Sequence, residues 1–320
     1  MRFFQKPYRW AICYSMVLLL FTAFMLLDTF VIPRAGVPVQ PVAAATPSAT
    51  VTPSATATPY VLPSDMSTPT PSPTPIPTVI TETSYSDANI NITIETVYEY
   101  DTYVYIADVK ITSLSYLKTA FAENTYGRNI KALTSEMASD AGAIFAINGD
   151  YYGFRDNGFV LRNGVLYRDT HNKLNGGEGL VVDSDGDFSI IDENETDAQG
   201  LADSGVWQIL SFGPGLISGG ELTVNKNSKV RNEMASNPRT AVGQISPFQY
   251  LFVVSDGRTQ ESAGLSLLEL AQIMYDRGCS VAYNLDGGGS ATMWFNGVII
   301  NKPTDSKGER EVSDIVYIGY

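Results

Sequence analysis

"FVLRNGVLYRD", residues Phe159 to Asp169, decides the fold class. Apolar flanks surround Asn163-Gly164, a pair that supplies the positive φ of a two-residue hairpin turn. The same device recurs in "ATMWFNGVIIN" at Asn296-Gly297, in "GLVVDSDGDFSII" at Asp185-Gly186 and in "PGLISGGELTV" at Gly219-Gly220. Four such signals argue for an antiparallel, β-rich domain. "ITIETVYEYDTYVYIADVKI" (Ile92 to Ile111) adds two early strands, because aromatic and β-branched residues alternate there with polar ones.

Two helices join these strands. In "SLLELAQIMYDRGC", Ser266 and Glu269 have capping-box spacing, and Leu267, Leu270, Ala271 and Met274 make one apolar face. A second helix is expected over Lys131 to Ala141, followed by the apolar strand "AIFAIN". The class is α+β: a mixed, largely antiparallel sheet with a few packed helices.

Three regions of different composition divide the chain. Ala11 to Ile32 is apolar apart from Asp28, and about 20 such residues cross a bilayer as a helix. Arg2, Lys6 and Arg9 precede it, so 1–32 reads as a cytoplasmic N-terminus and an uncleaved signal-anchor, with the remainder outside the cell. The rival reading is a cleaved signal peptide, with "VAAAT" (Val42 to Thr46) supplying small residues. Residues 33–81 hold 12 of the 17 prolines, in phrases such as "STPTPSPTPIPT", and read as a disordered, extended stalk. Residues 82–320 are long enough for one large domain.

The whole chain has 21 basic and 34 acidic residues. Four of the basic and two of the acidic ones precede Glu82, which leaves a net charge of −15 on the domain. So acidic a surface excludes nucleic acid as a partner. The two cysteines, Cys13 and Cys279, fall in the membrane span and in the domain, so they do not pair, and Cys279 reads as a small buried apolar residue. The single histidine, His171, lies in a loop and excludes a His-rich metal centre. Any metal would be oxygen-liganded Ca²⁺ or Mg²⁺; its ligands are unknown.

Chemistry is expected where polar clusters follow apolar strands. "AINGDYYG" ends in Asn148, Gly149 and Asp150. "VVSDGR" ends in Asp256 and Arg258. "NPRTAVGQ" carries Arg239 and Thr240. "VAYNLDGGGSATM" ends in Asp286, Gly287, Gly288, Gly289, Ser290 and Thr292. Taken singly, Asp-Gly and Asn-Gly are ordinary turn formers. Their recurrence, and a glycine triplet beyond what a turn needs, favour an anion-binding nest of backbone N–H groups. Neither GxGxxG nor GxxxxGK[ST] is present, so no nucleotide fold is indicated.

These motifs, with the closing "EREVSDIVYIG", resemble the phosphodiester glycosidase family in its bacterial, exopolysaccharide-related branch. The resemblance covers about Ala143 to Tyr320 and is most specific from Arg239 to Met293. It implies cleavage between a sugar anomeric carbon and a phosphodiester oxygen. The leaving phosphate needs charge stabilisation, for which Arg239 and the glycine N–H groups are the candidates. The sugar needs a carboxylate, for which Asp286, Asp256 and Asp150 are the candidates. Asn148, Arg258, Thr240, Ser290, Thr292, Glu309 and Arg310 are candidate substrate-binding residues, and Asp314 reads as structural. The expected protein is a membrane-anchored extracellular hydrolase of a sugar-1-phosphodiester in a surface or wall glycopolymer, requiring no cofactor. Two other readings stay open: a non-catalytic polysaccharide-binding module, and a metal-dependent phosphodiesterase that cleaves P–O.

Overall fold

The computed structural model describes residues 7–39, 77–173, 175–224, 235–306 and 308–320. Its framework is a nine-stranded sheet. In spatial order the strands are Glu221–Leu222, Gly215–Ser218, Val281–Asn284, Arg239–Ser246, Gln249–Ser255, Thr102–Ile111, Ile90–Glu99, Ser84–Ser86 and Val79–Ile80. A five-stranded sheet contains Val298–Ile299, Met293–Phe295, Ala143–Asn148, Asp314–Gly319 and Leu117–Phe121. A second contains Val165–Arg168, Val160–Arg162, Gln208–Leu210, Glu178–Val182 and Phe188–Asp192. Every pairing within these three sheets is antiparallel, in keeping with the hairpin signals.

All four hairpins form where the turn residues place them. Asn163 and Gly164 adopt φ 50° and 79°, and Asn296 and Gly297 adopt 45° and 91°. Asn163 also ties sheets together: its Oδ1 accepts from the Thr119 N–H at 3.0 Å and from Gln208 Nε2 at 2.8 Å.

One core lies between the sheets. Phe145 and Ile147 meet Tyr250, Phe252 and Val254 there, with Leu180, Val182 and Leu210 from the third sheet. The large sheet is buried on its other face too, which requires apolar residues at both parities of its central strands. There Ile106, Ala241, Leu251, Val253 and Ala282 pack under a helix.

Helix α1 is Pro7–Phe30, α2 is Thr134–Asp140, α3 is Ala198–Asp203 and α4 is Leu267–Asp276. The predicted capping box starts α4: the Glu269 N–H donates to Ser266 Oγ at 3.3 Å, and the Ser266 N–H to Glu269 Oε2 at 2.8 Å. Leu267, Leu270, Ala271 and Met274 are buried on the large sheet, as the periodicity predicts. Helix α2 is shorter than the predicted 131–141. Ala132–Leu133 pairs instead with Glu311–Val312 as a short strand, so helix begins only after it. Cys279 is buried beside Gly243 in the α4 layer, and burial pushes its thiol pKa up to about 12. That is the inert, apolar role expected of it.

The expected stalk boundaries require correction. Arg34–Pro38 pairs with Thr125–Arg128, and Asn129 Nδ2 donates to the Thr29 and Ile32 carbonyls at 3.1 Å each. At the far end, Val79–Ile80 pairs with Ser84–Ser86. Composition alone assigned these residues to a stalk. Their extended backbone is equally suited to strand pairing: Val79–Ile80 forms one edge of the nine-stranded sheet, and Arg34–Pro38 makes a separate two-stranded sheet. The remainder of the stalk reading, 40–76, lies outside the described residues. Within α1, Tyr8–Thr29 is 22 residues with a mean hydropathy of 2.2, long and apolar enough to cross a membrane.

Candidate active site

Four of the motifs converge at one end of the sheets. The Thr240 hydroxyl donates to Asn148 Oδ1 at 2.8 Å, and Asn148 Nδ2 donates to the Asp286 carbonyl at 2.7 Å. The Leu285 N–H donates to the Thr240 carbonyl at 2.8 Å, and the Arg239 N–H to Ser255 Oγ at 3.0 Å. Asn148 Oδ1 also accepts from the Thr292 N–H at 3.2 Å. Asn148 and Thr240 are wholly buried and hold the strand ends together. They were expected to contact substrate; the structure gives them a positioning role instead.

The three candidate carboxylates separate sharply. Asp150 is fully buried and paired with Arg162 at 2.9 Å. It also accepts from the backbone N–H of Ser211 at 2.7 Å and of Tyr152 at 3.1 Å. Arg162 reaches Asp314 as well, also at 2.9 Å, so two buried carboxylates share one guanidinium. Burial and the neighbouring Asp150 push the Asp314 pKa up, and Arg162 opposes this. Asp150 is therefore part of a buried ion cluster and is corrected as a nucleophile or base. Asp314 keeps the structural reading. Asp256 is buried, and accepts from the Lys302 N–H at 2.8 Å and the Tyr105 hydroxyl at 3.1 Å. Burial raises its pKa, and those bonds oppose the shift. Its contacts fasten the loop that follows Val298–Ile299.

Asp286 alone among the three stays partly open to solvent. Protein atoms nevertheless crowd its carboxyl, and this desolvation pushes its pKa up to about 6. Ser290, Arg310, Arg155 and the Gly287 N–H all favour the ionised form and limit the rise. The Ser290 hydroxyl lies beside the carboxyl without closing a bond of good geometry, so its oxygen stays buried and unsatisfied. Thr292 Oγ1 is likewise buried without a partner among the described residues.

The glycine triplet does not form the predicted N–H nest. The Gly288 N–H donates to the Pro238 carbonyl at 2.8 Å, and the Ser290 N–H to the Gly287 carbonyl at 3.2 Å. The Gly287 N–H stabilises the Asp286 carboxylate. Close approach by neighbours explains the glycines instead. A Cβ on Gly287 would lie 2.6 Å from the Pro238 oxygen. One on Gly288, whose φ is +62°, would lie 3.0 Å from Arg258 Nη2, and one on Gly289 would lie 2.4 Å from Arg310 Nη2. Two guanidinium groups thus lie against the triplet. Arg258 is held by Asn237 Oδ1 at 2.9 Å and Arg310 by Asp305 at 2.9 Å.

Arg239, the cation first assigned to phosphate, is buried and braces two loops. It donates to the Leu265 and Ala235 carbonyls, each at 2.9 Å. Glu309 lines one cavity with Arg310 and Ser290, and it also accepts from the Ser135 N–H at 2.8 Å and the Ser135 hydroxyl at 2.7 Å in the first turn of α2. His171 sits in an exposed loop against Phe159.

Two residues that the motifs did not single out as site residues belong to this group. Tyr151 adopts φ 70°, stacks on Phe154 at 4.7 Å, and has its pKa raised by burial and by the charge of Asp286. A non-glycine residue held at positive φ is an uncommon cost, and such residues cluster at functional sites. Arg155 donates to the Asp150 carbonyl at 3.0 Å and to the Ser211 carbonyl, and its charge acts on Asp286. Only the left-handed turn at Tyr151, preceded by Asp150, returns Arg155 to the site, and no local pattern announces that return. Tyr151, Phe154, Ser290, Asp305 and Arg310 line a cavity of about 610 Å³. Among the described residues no three His, Cys, Asp or Glu side chains are grouped to hold a metal ion.

The arrangement sets the desolvated Asp286 carboxyl near Arg310 and Arg155, next to a cavity that Arg310 and Ser290 line together with Glu136, Asp305, Glu309 and Glu311. The prophage-derived uncharacterized protein YomE of Bacillus subtilis is 30% identical over 200 residues, 61% of this chain and 31% of that protein. The N-acetylglucosamine-1-phosphodiester alpha-N-acetylglucosaminidase of Mus musculus is 29% identical over 213 residues, 59% of this chain and 40% of the relative. The chain therefore spans well under half the length of these relatives. The auto-inhibited catalytic domain of the zebrafish N-acetylglucosamine-1-phosphodiester alpha-N-acetylglucosaminidase has the same fold, with a TM-score of 0.58 at 23% identity over 72% of this chain and 83% of that one. A family model described as phosphodiester glycosidase matches residues 141–319. The chain belongs to the phosphodiester glycosidase family.

Proposed function

We propose that this chain hydrolyses a glycosyl phosphodiester, breaking the bond between the anomeric carbon and the phosphate oxygen. The observation that carries the reading is Asp286, a desolvated carboxyl with a pKa of about 6 near Arg310, Arg155 and Ser290, of which Arg310 and Ser290 line the cavity. At neutral pH such a group is mostly ionised yet still basic, which suits a general base. Asp286 takes a proton from water as the water oxygen bonds to the anomeric carbon. The C–O bond breaks, its electron pair leaves with the phosphate oxygen, and a phosphomonoester and a free sugar result. A phosphate leaves readily without protonation, so one carboxylate is sufficient where most glycosidases use two. Arg310 and Arg258 are placed to stabilise the charge on the phosphate. Ser290 lines the cavity, and its hydroxyl lies against the Asp286 carboxyl, where it favours the ionised base.

The natural substrate in this reading is a GlcNAc-1-phosphate-like linkage in a surface or wall glycopolymer. In the same reading helix α1 anchors the chain in the cell membrane as a single pass; its length and hydropathy support this, and the basic residues before it support a domain outside the cell. Asn129 against the helix end supports a domain seated close to the membrane surface.

Hydrolysis of a GlcNAc-1-phosphodiester in ¹⁸O-water tests the chemistry. Label in the sugar, the inverted anomer as first product, and loss of turnover in Asp286→Asn are expected. Label in the phosphate refutes C–O cleavage, and equal rates in wild type and Asp286→Asn refute the assigned base. Polymer binding without turnover refutes both.

A further inference from the structure

A cavity of about 190 Å³ lies at Leu117–Phe121, the edge strand of its five-stranded sheet. Lys118 on that strand pairs with Tyr317 on Asp314–Gly319, so the two side chains leave the sheet on the same face, and both line the cavity. Lys118 is only 6% exposed, yet its ammonium makes no hydrogen bond and no ion pair among the described residues. A lysine is almost never so deeply buried unless it is paired. Burial pushes its pKa below the ordinary lysine value, and no neighbouring carboxylate opposes the shift.

The other buried or half-buried donors on the cavity wall divide into two groups. Arg162 is taken by Asp150 and Asp314, the Thr119 hydroxyl by Gln208 Oε1 at 3.1 Å, and Asn163 Nδ2 by the Thr119 carbonyl at 2.8 Å. The Tyr167 and Tyr317 hydroxyls, like Lys118, make no hydrogen bond among the described residues. The remaining charge on the wall is Asp140, the last residue of α2, which is exposed and forms no ion pair among the described residues. Ala120, Phe121 and the two tyrosine rings make the apolar part of the wall, with the Phe121 and Tyr167 rings edge to face at 5.0 Å.

We propose that this cavity is a binding site for a small monocarboxylate with a compact apolar body, its carboxylate held by the Lys118 ammonium and the Tyr167 and Tyr317 hydroxyls. One unpaired cation matches one negative charge, and a charge-assisted bond in a half-dry site is a strong one. Asp140 at the rim repels a second negative charge, which disfavours a phosphate dianion. A cavity of about 150 Å³ holds benzene, so this one admits a ring of that size with a carboxylate attached. Nothing in the site depends on the hydrolysis proposed above.

The test is calorimetric titration of the full chain in detergent, with empty micelles as the blank. The probes are sodium benzoate, its neutral isostere benzamide, and inorganic phosphate. Benzoate is expected to bind one-to-one, about tenfold or more tighter than benzamide, and to weaken by about tenfold or more in Lys118→Met. Lys118→Met is expected to melt no lower than wild type, because it removes a buried unpaired charge. Equal binding of benzamide overturns the proposal, and so does benzoate binding that Lys118→Met leaves unchanged. Phosphate that binds as tightly as benzoate overturns the carboxylate class. No saturation by benzoate up to about 10 mM overturns the site. A lower Tm in Lys118→Met gives the ammonium a stabilising partner within the protein and overturns the unpaired site. The benzoate and benzamide comparison in wild type decides the matter even where the variant does not fold.

Discussion

The Arg310 guanidinium rests on the Gly289 backbone, so close that a Cβ at 289 would stand 2.4 Å from Nη2 and 2.7 Å from Cζ. The colliding atoms belong to the free end of a long side chain, which can swing away at little cost to folding. Gly289→Ala is therefore expected to leave Tm nearly unchanged while displacing the cation from Asp286. Loss of one preorganised charge-stabilising group costs about 10²-fold or more in kcat. Steady-state kinetics beside a thermal melt separate the two effects. A large fall in Tm with unchanged kcat in the folded fraction is the contrary result.

The pKa of Asp286, about 6, sets a pH profile. As the proposed base it acts when ionised, so kcat/KM is expected to rise through pH 6 and then level. The stability consequence has the opposite sign. Burial raises the folded-state pKa above the ordinary carboxylate value, so the protonated form is favoured on folding and stability falls as pH rises through about 6. Asp286→Asn removes that cost. The variant is expected to melt higher than wild type at pH 7.5 and at the same temperature at pH 4. Equal melting temperatures at both values would falsify the assigned shift.

What the sequence discloses depends on how local the cause is. Asn163-Gly164 and the Ser266 capping box were legible because turn dihedrals and cap bonds are decided within a few residues. The convergence of Asn148, Thr240 and Asp286 followed from where apolar strands end. Asp150 and Asp286 look alike in the sequence, each an acid after an apolar strand. Only the return of Arg162 from the next hairpin distinguishes the paired acid from the open one. The glycine triplet was recognised but misread. Whether glycine serves to expose its N–H or to admit a neighbour depends on chain about 20 to 50 residues away: Arg310 in one direction, Arg258 and Pro238 in the other.

Metal removal is expected to have no effect on turnover. Arg310 and Arg258 supply positive charge at the proposed phosphate position, and among the described residues no three carboxylate, His or Cys side chains group into a ligand set. Dialysis against EDTA should leave kcat/KM within about twofold, since no Lewis acid is assigned a part in the barrier. Loss of activity that Ca²⁺ or Mg²⁺ restores would assign a cation to the reaction.

Arg162 decides whether Asp150 acts in chemistry or in folding. Its guanidinium holds Asp150 and Asp314, each at 2.9 Å, and all three side chains are almost wholly buried. Arg162→Met leaves two buried carboxylates without a counter-charge, and breaking a buried pair in this way costs about 3–5 kcal/mol. Urea denaturation should show that loss at pH 7.5. It should shrink at pH 5, because unpaired buried carboxylates have raised pKa values and are neutralised as pH falls. Restoring neutrality by a second route provides the control: Asp150→Asn with Asp314→Asn in the Arg162→Met background is expected to recover part of the stability. A folded Arg162→Met protein with wild-type stability and no turnover would return Asp150 to the catalytic group.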